Sequence, residues 1–427
     1  MKKLQFGYQD PHNGHLFFLC WIAYFSTYIC RLNYSAVMPE LNSSGLFTES
    51  EIAAVSSAFF ICYGLGQLVS GAVGDKISPR HMIFLGVLIS GAINILIFFC
   101  YTSYIALLLL WGLNGAVQSM VWSPILRVAG EYFDPVEKEK FGIDISTTVP
   151  LGTLASYGVS LVTLALLPWH YTFLTCGCVV LAAAIYWYIG TGRILPKLKK
   201  IEFKRDVLPK GRRTLPSGKL VGMIVSSGLL VLLIPIAIMG TLKDSVTQWI
   251  PTFFDSQFHT GTSISLVMTM VLPIINVTGA YFARMIDRKL HNELKTSAVF
   301  FAISAAFLMV LLAFGSSNMI LALICMVGVT NCMFAINVML ITMVPLRFTK
   351  FGRVSTVAGF LNAMAYVGCG LLNLAAGALL EKTGTAWNVL FILWLGLAIG
   401  ALVITGGCVI PWKKFVRREN LNETESD

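Results

Sequence analysis

Two basic residues lie well inside long apolar stretches of this chain, Arg31 and Lys243, 212 positions apart. A cation within a hydrocarbon-length segment costs roughly 2.5–3.5 kcal/mol on insertion scales, so it ordinarily faces a water-filled cavity and marks a function. Tyr24, Tyr28 and Arg31 follow i, i+4, i+7 spacing and share one helical face. A guanidinium flanked by phenolic hydroxyls offers a planar fork of donors suited to a phosphate or a carboxylate. Lys243 is the second cation, followed directly by Asp244. Neighbours on a helix diverge by about 100°, so Asp244 need not neutralise it. Asp244 has two readings: a salt-bridge partner between helices, or a titrating group that couples to protons. Tyr63, Gln118, Trp122, Gln248 and Asn362 are further polar side chains inside apolar segments. Each suits hydrogen bonding to a ligand hydroxyl or a contact between helices, worth on the order of 0.6 kcal/mol in membranes.

The composition states what must position these residues. The chain is 56% hydrophobic and 12% charged, with a mean hydropathy of +0.75, against about 25% charge in a soluble domain. Apolar runs of bilayer-spanning length recur at about 16–38, 52–74, 82–100, 104–128, 142–167, 170–190, 219–250, 262–284, 296–314, 319–345, 353–380 and 386–410. The reading is an all-α membrane protein of twelve transmembrane helices. Lys and Arg crowd every second loop, while the alternate loops hold only Lys382. Both termini and the central segment are therefore expected in the cytoplasm. The net charge of +10 arises from this bias, which makes nucleic acid a poor partner. The ten cysteines are scattered and the six histidines fall in loops or at span ends, so no metal, no cofactor and no enzyme chemistry is expected.

Residues 192–218 are basic and proline-bearing, dividing the chain into six spans at 1–191 and six at 219–412, with a tail at 413–427. Landmarks repeat across the divide: Pro39 and Pro251, and Asp75 and Asp287, share the 212-residue offset of Arg31 and Lys243. Two six-helix bundles with pseudo-two-fold symmetry follow, with one central anion-attracting site. Loop motifs also recur, Gly71-Ala-Val-Gly-Asp75-Lys76-Ile-Ser-Pro-Arg80 and Ala283-Arg-Met-Ile-Asp287-Arg288-Lys289. Their Asp–basic pairs are expected to latch helix ends in one conformation and release them in another.

The first of these loops resembles the loop motif of major facilitator transporters. Three further stretches are similar to the organophosphate:phosphate antiporter family. They are Tyr28-x-x-Arg31-x-Asn33 ending in Met38-Pro39, Gln118-Ser-Met-Val-Trp122-Ser-Pro124-x-x-Arg127, and Leu242-Lys243 leading to Trp249-x-Pro251. The resemblance continues through Val357-Ala-Gly-Phe360 to Tyr366-Val-Gly368. It implies a major facilitator fold, Arg31 as a phosphate-binding arginine, and Lys243 in the seat of a second arginine. It also implies a monomeric inner-membrane carrier whose partners are lipid and a small anion, a phosphate ester exchanged for inorganic phosphate. Two departures put glycerol-3-phosphate itself in doubt: a lysine cannot make the bidentate fork, and 146–152 lacks the histidine of the glycerol-phosphate branch. Proton-coupled symport of an organic anion, with Asp244 or Asp144 titrating, stays open. So does a sugar-phosphate sensor of the same fold.

Overall fold

A computed structural model describes residues 8, 10–200, 222, 228–258, 262–383 and 387–424. Most of the central linker (201–218) and the side chain of Gln248 lie outside the described residues. Twelve long helices follow in order: α1 Pro11–Ser43, α2 Glu49–Gly74, α3 Pro79–Cys100, α4 Tyr104–Tyr132, α5 Pro135–Leu166, α6 Tyr171–Ile194, α7 Leu233–Phe258, α8 Thr262–Leu290, α9 Glu293–Phe314, α10 Met319–Leu346, α11 Val354–Thr383 and α12 Trp387–Thr424. Among the described residues, nine are long and apolar enough to cross a membrane. The three that complete the set, α7, α8 and α11, contain residues whose side chains lie outside the described set.

Local chemistry starts and bends these helices. Thr48 and Glu51 form a reciprocal cap on α2: Glu51 N donates to Thr48 Oγ1 and Thr48 N donates to Glu51 Oε2. Asp134, Asn292 and Asn318 accept from the first turns of α5, α9 and α10. In α5 the regular helix is interrupted at Thr147. Pro150 explains it, since its ring clashes with the carbonyl four residues back and it has no N–H to donate. In α1 the break is at Cys30, with φ −92° and ψ 18°, one residue before Arg31.

The described chain forms two compact units. One takes Met1–Val207 with Pro345–Ala363, the other Leu208–Val344 with Met364–Asp427. Within the first, α2 packs on α4, α3 on α4 and α6, and α1 on α5 and α6. Within the second, α8 packs on α10, α9 on α10 and α12, and α7 on α12. The duplication is thus one of packing partners as well as of sequence.

Matching details recur inside each unit. Trp187 Nε1 of α6 donates to Arg80 O in the first turn of α3, at 2.9 Å. Trp412 Nε1 of α12 donates to Glu293 Oε2 in the first turn of α9, also at 2.9 Å. A Cβ added at Gly66 would lie 2.5 Å from Ser119 Oγ on α4, and one at Gly279 would lie 2.7 Å from Asn331 O on α10. Small residues let helices approach this closely in lipid, where association depends on packing rather than on water release.

The seam between the first and fifth helices is tight in both halves. Gly152 of α5 faces Tyr28 of α1, where an added Cβ would come within 2.7 Å of Tyr28 Cβ. In the second unit both partners carry one: a Cβ on Gly240 of α7 would run into Ala365 O of α11, and one on Gly368 of α11 would run into Ala237 Cβ of α7. Gly240→Val therefore forces α7 and α11 apart, and overpacking of this kind costs about 1–3 kcal/mol. Heating the purified variant in detergent should show a lower melting temperature, whereas Gly400→Ala, which has nothing within 4 Å, should melt with the parent.

Candidate functional site

Arg31 is buried, with 6% of its surface exposed, and does not face lipid. Its Cζ lies 4.7 Å from the Tyr28 ring centroid and 4.5 Å from that of Tyr63. Arg31 Nε donates to Gln118 Oε1 at 3.0 Å. Two ring contacts at roughly 0.5–2 kcal/mol each and a hydrogen bond to a charged group at about 1.5–3 kcal/mol match the insertion cost of roughly 2.5–3.5 kcal/mol. These three neutral groups therefore offset much of the cost of a cation in apolar surroundings.

Around this centre stand the other residues expected in the first half. Tyr24 and Tyr28 place their hydroxyls 3.4 Å apart, and the Tyr24 ring lies 4.7 Å from Trp122. Tyr63 is fully buried and stacks on Phe59. Two buried donors, Trp122 Nε1 and Gln67 Nε2, meet no acceptor among the described residues, although Gln67 Oε1 accepts from Ser123 Oγ. Asn362 of α11 is also buried.

Gln118 apart, sequence reasoning passed over the amides behind Arg31. The Cys30 carbonyl, turned out by the helix break, accepts from Asn114 Nδ2 at 2.8 Å and from Gln118 Nε2 at 3.0 Å. Ser90, Asn94 and Asn33 extend the same buried network. The available signal was the presence of asparagines inside apolar spans, where an unpaired amide is costly.

In the second unit Lys243 is partly buried and Asp244 less so. Lys243 Nζ sits 3.6 Å from Asp244 Oδ1, because the flexible lysine stem overcomes the divergence of adjacent positions. The Cys369 thiol also bonds the Asp244 carboxylate. Asp144, the other candidate for titration, is held by Lys140 Nζ at 2.6 Å.

The loop charges take separate partners. Asp75 is buried and accepts from Ser355 N and Thr356 N, both at 3.0 Å, and from Thr356 Oγ1. It thereby caps the first turn of α11, where a carboxylate also meets the positive end of the helix dipole. Arg127 donates to the Gly74 and Ile77 carbonyls and to Glu131, pinning the loop after α2 onto α4. Arg80 donates to Tyr188 O and covers the Tyr188 ring at 4.3 Å. Lys76 and Arg288 are exposed. Asp287 accepts from Thr296 Oγ1 at 2.9 Å.

Among the described residues, nine apolar helices of bilayer length in a duplicated arrangement define an integral, multi-pass membrane protein. The chain belongs to the Major Facilitator Superfamily, whose profile matches residues 17–367. It is 32% identical over 124 residues to the "Membrane sensor protein UhpC" of Salmonella typhimurium, covering 29% of this chain and 28% of that protein. It is 30% identical over 138 residues to the "Probable hexose phosphate transport protein" of Chlamydia trachomatis, covering 32% of this chain and 30% of that protein. These matches therefore span less than a third of either relative. A longer match, 21% identical over 396 residues, covers 88% of this chain and 84% of the "Phosphoglycerate transporter protein" of Salmonella typhimurium. Among solved structures, a bacterial homologue of the iron transporter ferroportin superposes with a TM-score of 0.69 at 14% identity. It covers 93% of this chain and 99% of that one, and shares the fold.

Burial pushes the Asp75 carboxyl up, against the downward pull of its hydrogen bonds from Thr356 and Ser355 and of the Arg127 charge. An acid raised in the folded chain favours the fold while protonated, and loses that advantage as pH rises through its folded pKa. Asp75→Asn cannot titrate. The melting temperature of the parent should therefore fall relative to Asp75→Asn as the buffer is taken from pH 4 to pH 7.

Proposed function

We propose that the protein is a secondary carrier of an organic phosphate anion, which it exchanges for inorganic phosphate by alternating access. The observation that carries this reading is the caged guanidinium, its faces covered by Tyr28 and Tyr63 and its Nε tied to Gln118. An arginine so fixed holds its guanidinium donors in one plane, the geometry a phosphoryl group or carboxylate accepts. The buried donors on Trp122 and Gln67 support an oxygen-rich ligand, since each costs about 1–3 kcal/mol while unsatisfied. The names of two relatives, a hexose phosphate transport protein and a phosphoglycerate transporter, support the phosphate-ester class.

In this reading Arg31 takes the phosphoryl oxygens, with the Tyr24 and Tyr28 hydroxyls beside it. Lys243 is the second cation, and Tyr63, Gln118, Gln248 and Asn362 complete the set of contacts. Asp75, Lys76, Arg80, Asp287 and Arg288 set the ends of helices that change partners during the cycle. The basic loops favour an inner-membrane orientation with both termini in the cytoplasm, and the carrier works as a monomer within the bilayer. The pairing of Asp244 with Lys243 and Cys369 favours a fixed salt-bridge role over proton coupling.

A second reading rests on the relative named a membrane sensor protein: the same site binds a sugar phosphate and the chain signals without carrying it. Uptake by reconstituted vesicles separates the two. With phosphate loaded inside and the proton gradient collapsed, the parent should take up a hexose phosphate, and Arg31→Ala should fall to background while still inserting. Binding without uptake would turn the assignment to a sensor; undiminished uptake by Arg31→Ala would remove it. Trp122→Phe keeps an aromatic ring, though a smaller one, and loses the indole donor, so phosphate-ester affinity should drop about tenfold, equivalent to ~1.4 kcal/mol, as titration calorimetry would read.

A further inference from the structure

We infer that Asn114 is a positioning residue for Arg31, acting through the Cys30 carbonyl and the Gln118 amide; this rests on the reading of Arg31 as the anion ligand. Helix α1 breaks at Cys30, immediately before Arg31, and the carbonyl released by that break is held by Asn114 Nδ2 at 2.8 Å. Since the amino end of Asn114 is committed there, its Oδ1 faces the other way. It accepts from Ser90 Oγ at 2.7 Å and from Gln118 Nε2 at 3.3 Å.

Gln118 has no choice of orientation as a result. Its Nε2 is drawn toward Cys30 O, Ser90 Oγ and Asn114 Oδ1, at 3.0, 3.1 and 3.3 Å. Its Oε1 is then left to accept from Arg31 Nε. The opposite orientation would set an amide NH2 against a guanidinium, two donors facing each other. The direction of one amide thus fixes the next, and the last fixes the plane of the arginine. Asn114, Ser90 and Gln118 are at most 1% exposed, so water offers no substitute partner. Ser90 belongs to α3, Asn114 and Gln118 to α4, and Cys30 and Arg31 to α1. The network therefore orients Arg31 from two helices that do not carry it.

The test measures binding of radiolabelled inorganic phosphate to the purified full-length chain. Asn114→Ala removes both ends of the amide and should weaken phosphate about tenfold. Asn114→Asp is nearly isosteric. Its protonated acid has one donor and one acceptor, like the amide, whereas its carboxylate only accepts and would repel the Cys30 carbonyl. Dividing each affinity by that of the parent at the same pH cancels the titration of phosphate itself. That ratio should be near one at pH 5.5 and about tenfold worse at pH 8.5, since buried acids can titrate as high as about pH 8–9. A packing role would not produce this rescue by protonation.

An Asn114→Asp ratio that stays flat across this range, at either level, overturns the inference, as does Asn114→Ala within twofold of the parent. Should Asn114→Ala not fold, the aspartate series alone decides. Arg31→Ala with undiminished phosphate binding would instead remove the anion reading itself, whatever the Asn114 variants do.

Discussion

A positive charge kept inside apolar surroundings has to be oriented without being cancelled, and the first half of this protein is organised around that requirement. A carboxylate beside Arg31 would satisfy the guanidinium and compete with any incoming anion. Aromatic faces and an amide oxygen lower the cost of the charge while leaving it a charge. Tyr28, Tyr63 and Gln118, which pack against or hydrogen-bond Arg31, are themselves neutral. That choice propagates outward, because a neutral amide used as an acceptor needs its donor end satisfied elsewhere. The buried chain of Gln118, Asn114, Ser90, Asn94 and Asn33 meets that need, and the broken turn at Cys30 supplies a carbonyl to terminate it.

The second half meets the same requirement differently. Lys243 rests beside Asp244 at 3.6 Å, so its charge is partly compensated within its own helix. A lysine ammonium is a compact point charge on a flexible stem and needs no fixed plane. No amide framework is required to aim it. The two cations occupy equivalent places in the duplicated sequence, yet one is locked by geometry and the other tempered by a neighbour.

Much of the fold was legible because hydrocarbon thickness imposes a length and the repeat imposes an offset. The segments read from apolar runs correspond to the twelve helices, and the face shared by Tyr24, Tyr28 and Arg31 follows from helical spacing alone. Contacts between distant positions were not legible. Asn114 meets Cys30 across 84 positions, and Asp75 meets Ser355 across 280. Nothing local to Asp75 announces that its partners are the backbone amides of α11 rather than a neighbouring base. The interruption of α5 was within reach, since Pro150 states it. The break at Cys30 was not, because no proline or glycine lies in the turns around it. The Trp187 and Trp412 anchors do the same work at different offsets from their partners, so a search at 212 residues passes over them.

The glycine seams suggest how such a duplication drifts while its shape endures. One half hollows out α5 opposite a tyrosine, while the other hollows out both α7 and α11 opposite alanines. The void is divided differently between the partners, and the close approach has been kept. Residue identity between the halves is consequently a poor measure of their kinship at this seam; summed volume across the pair is a better one.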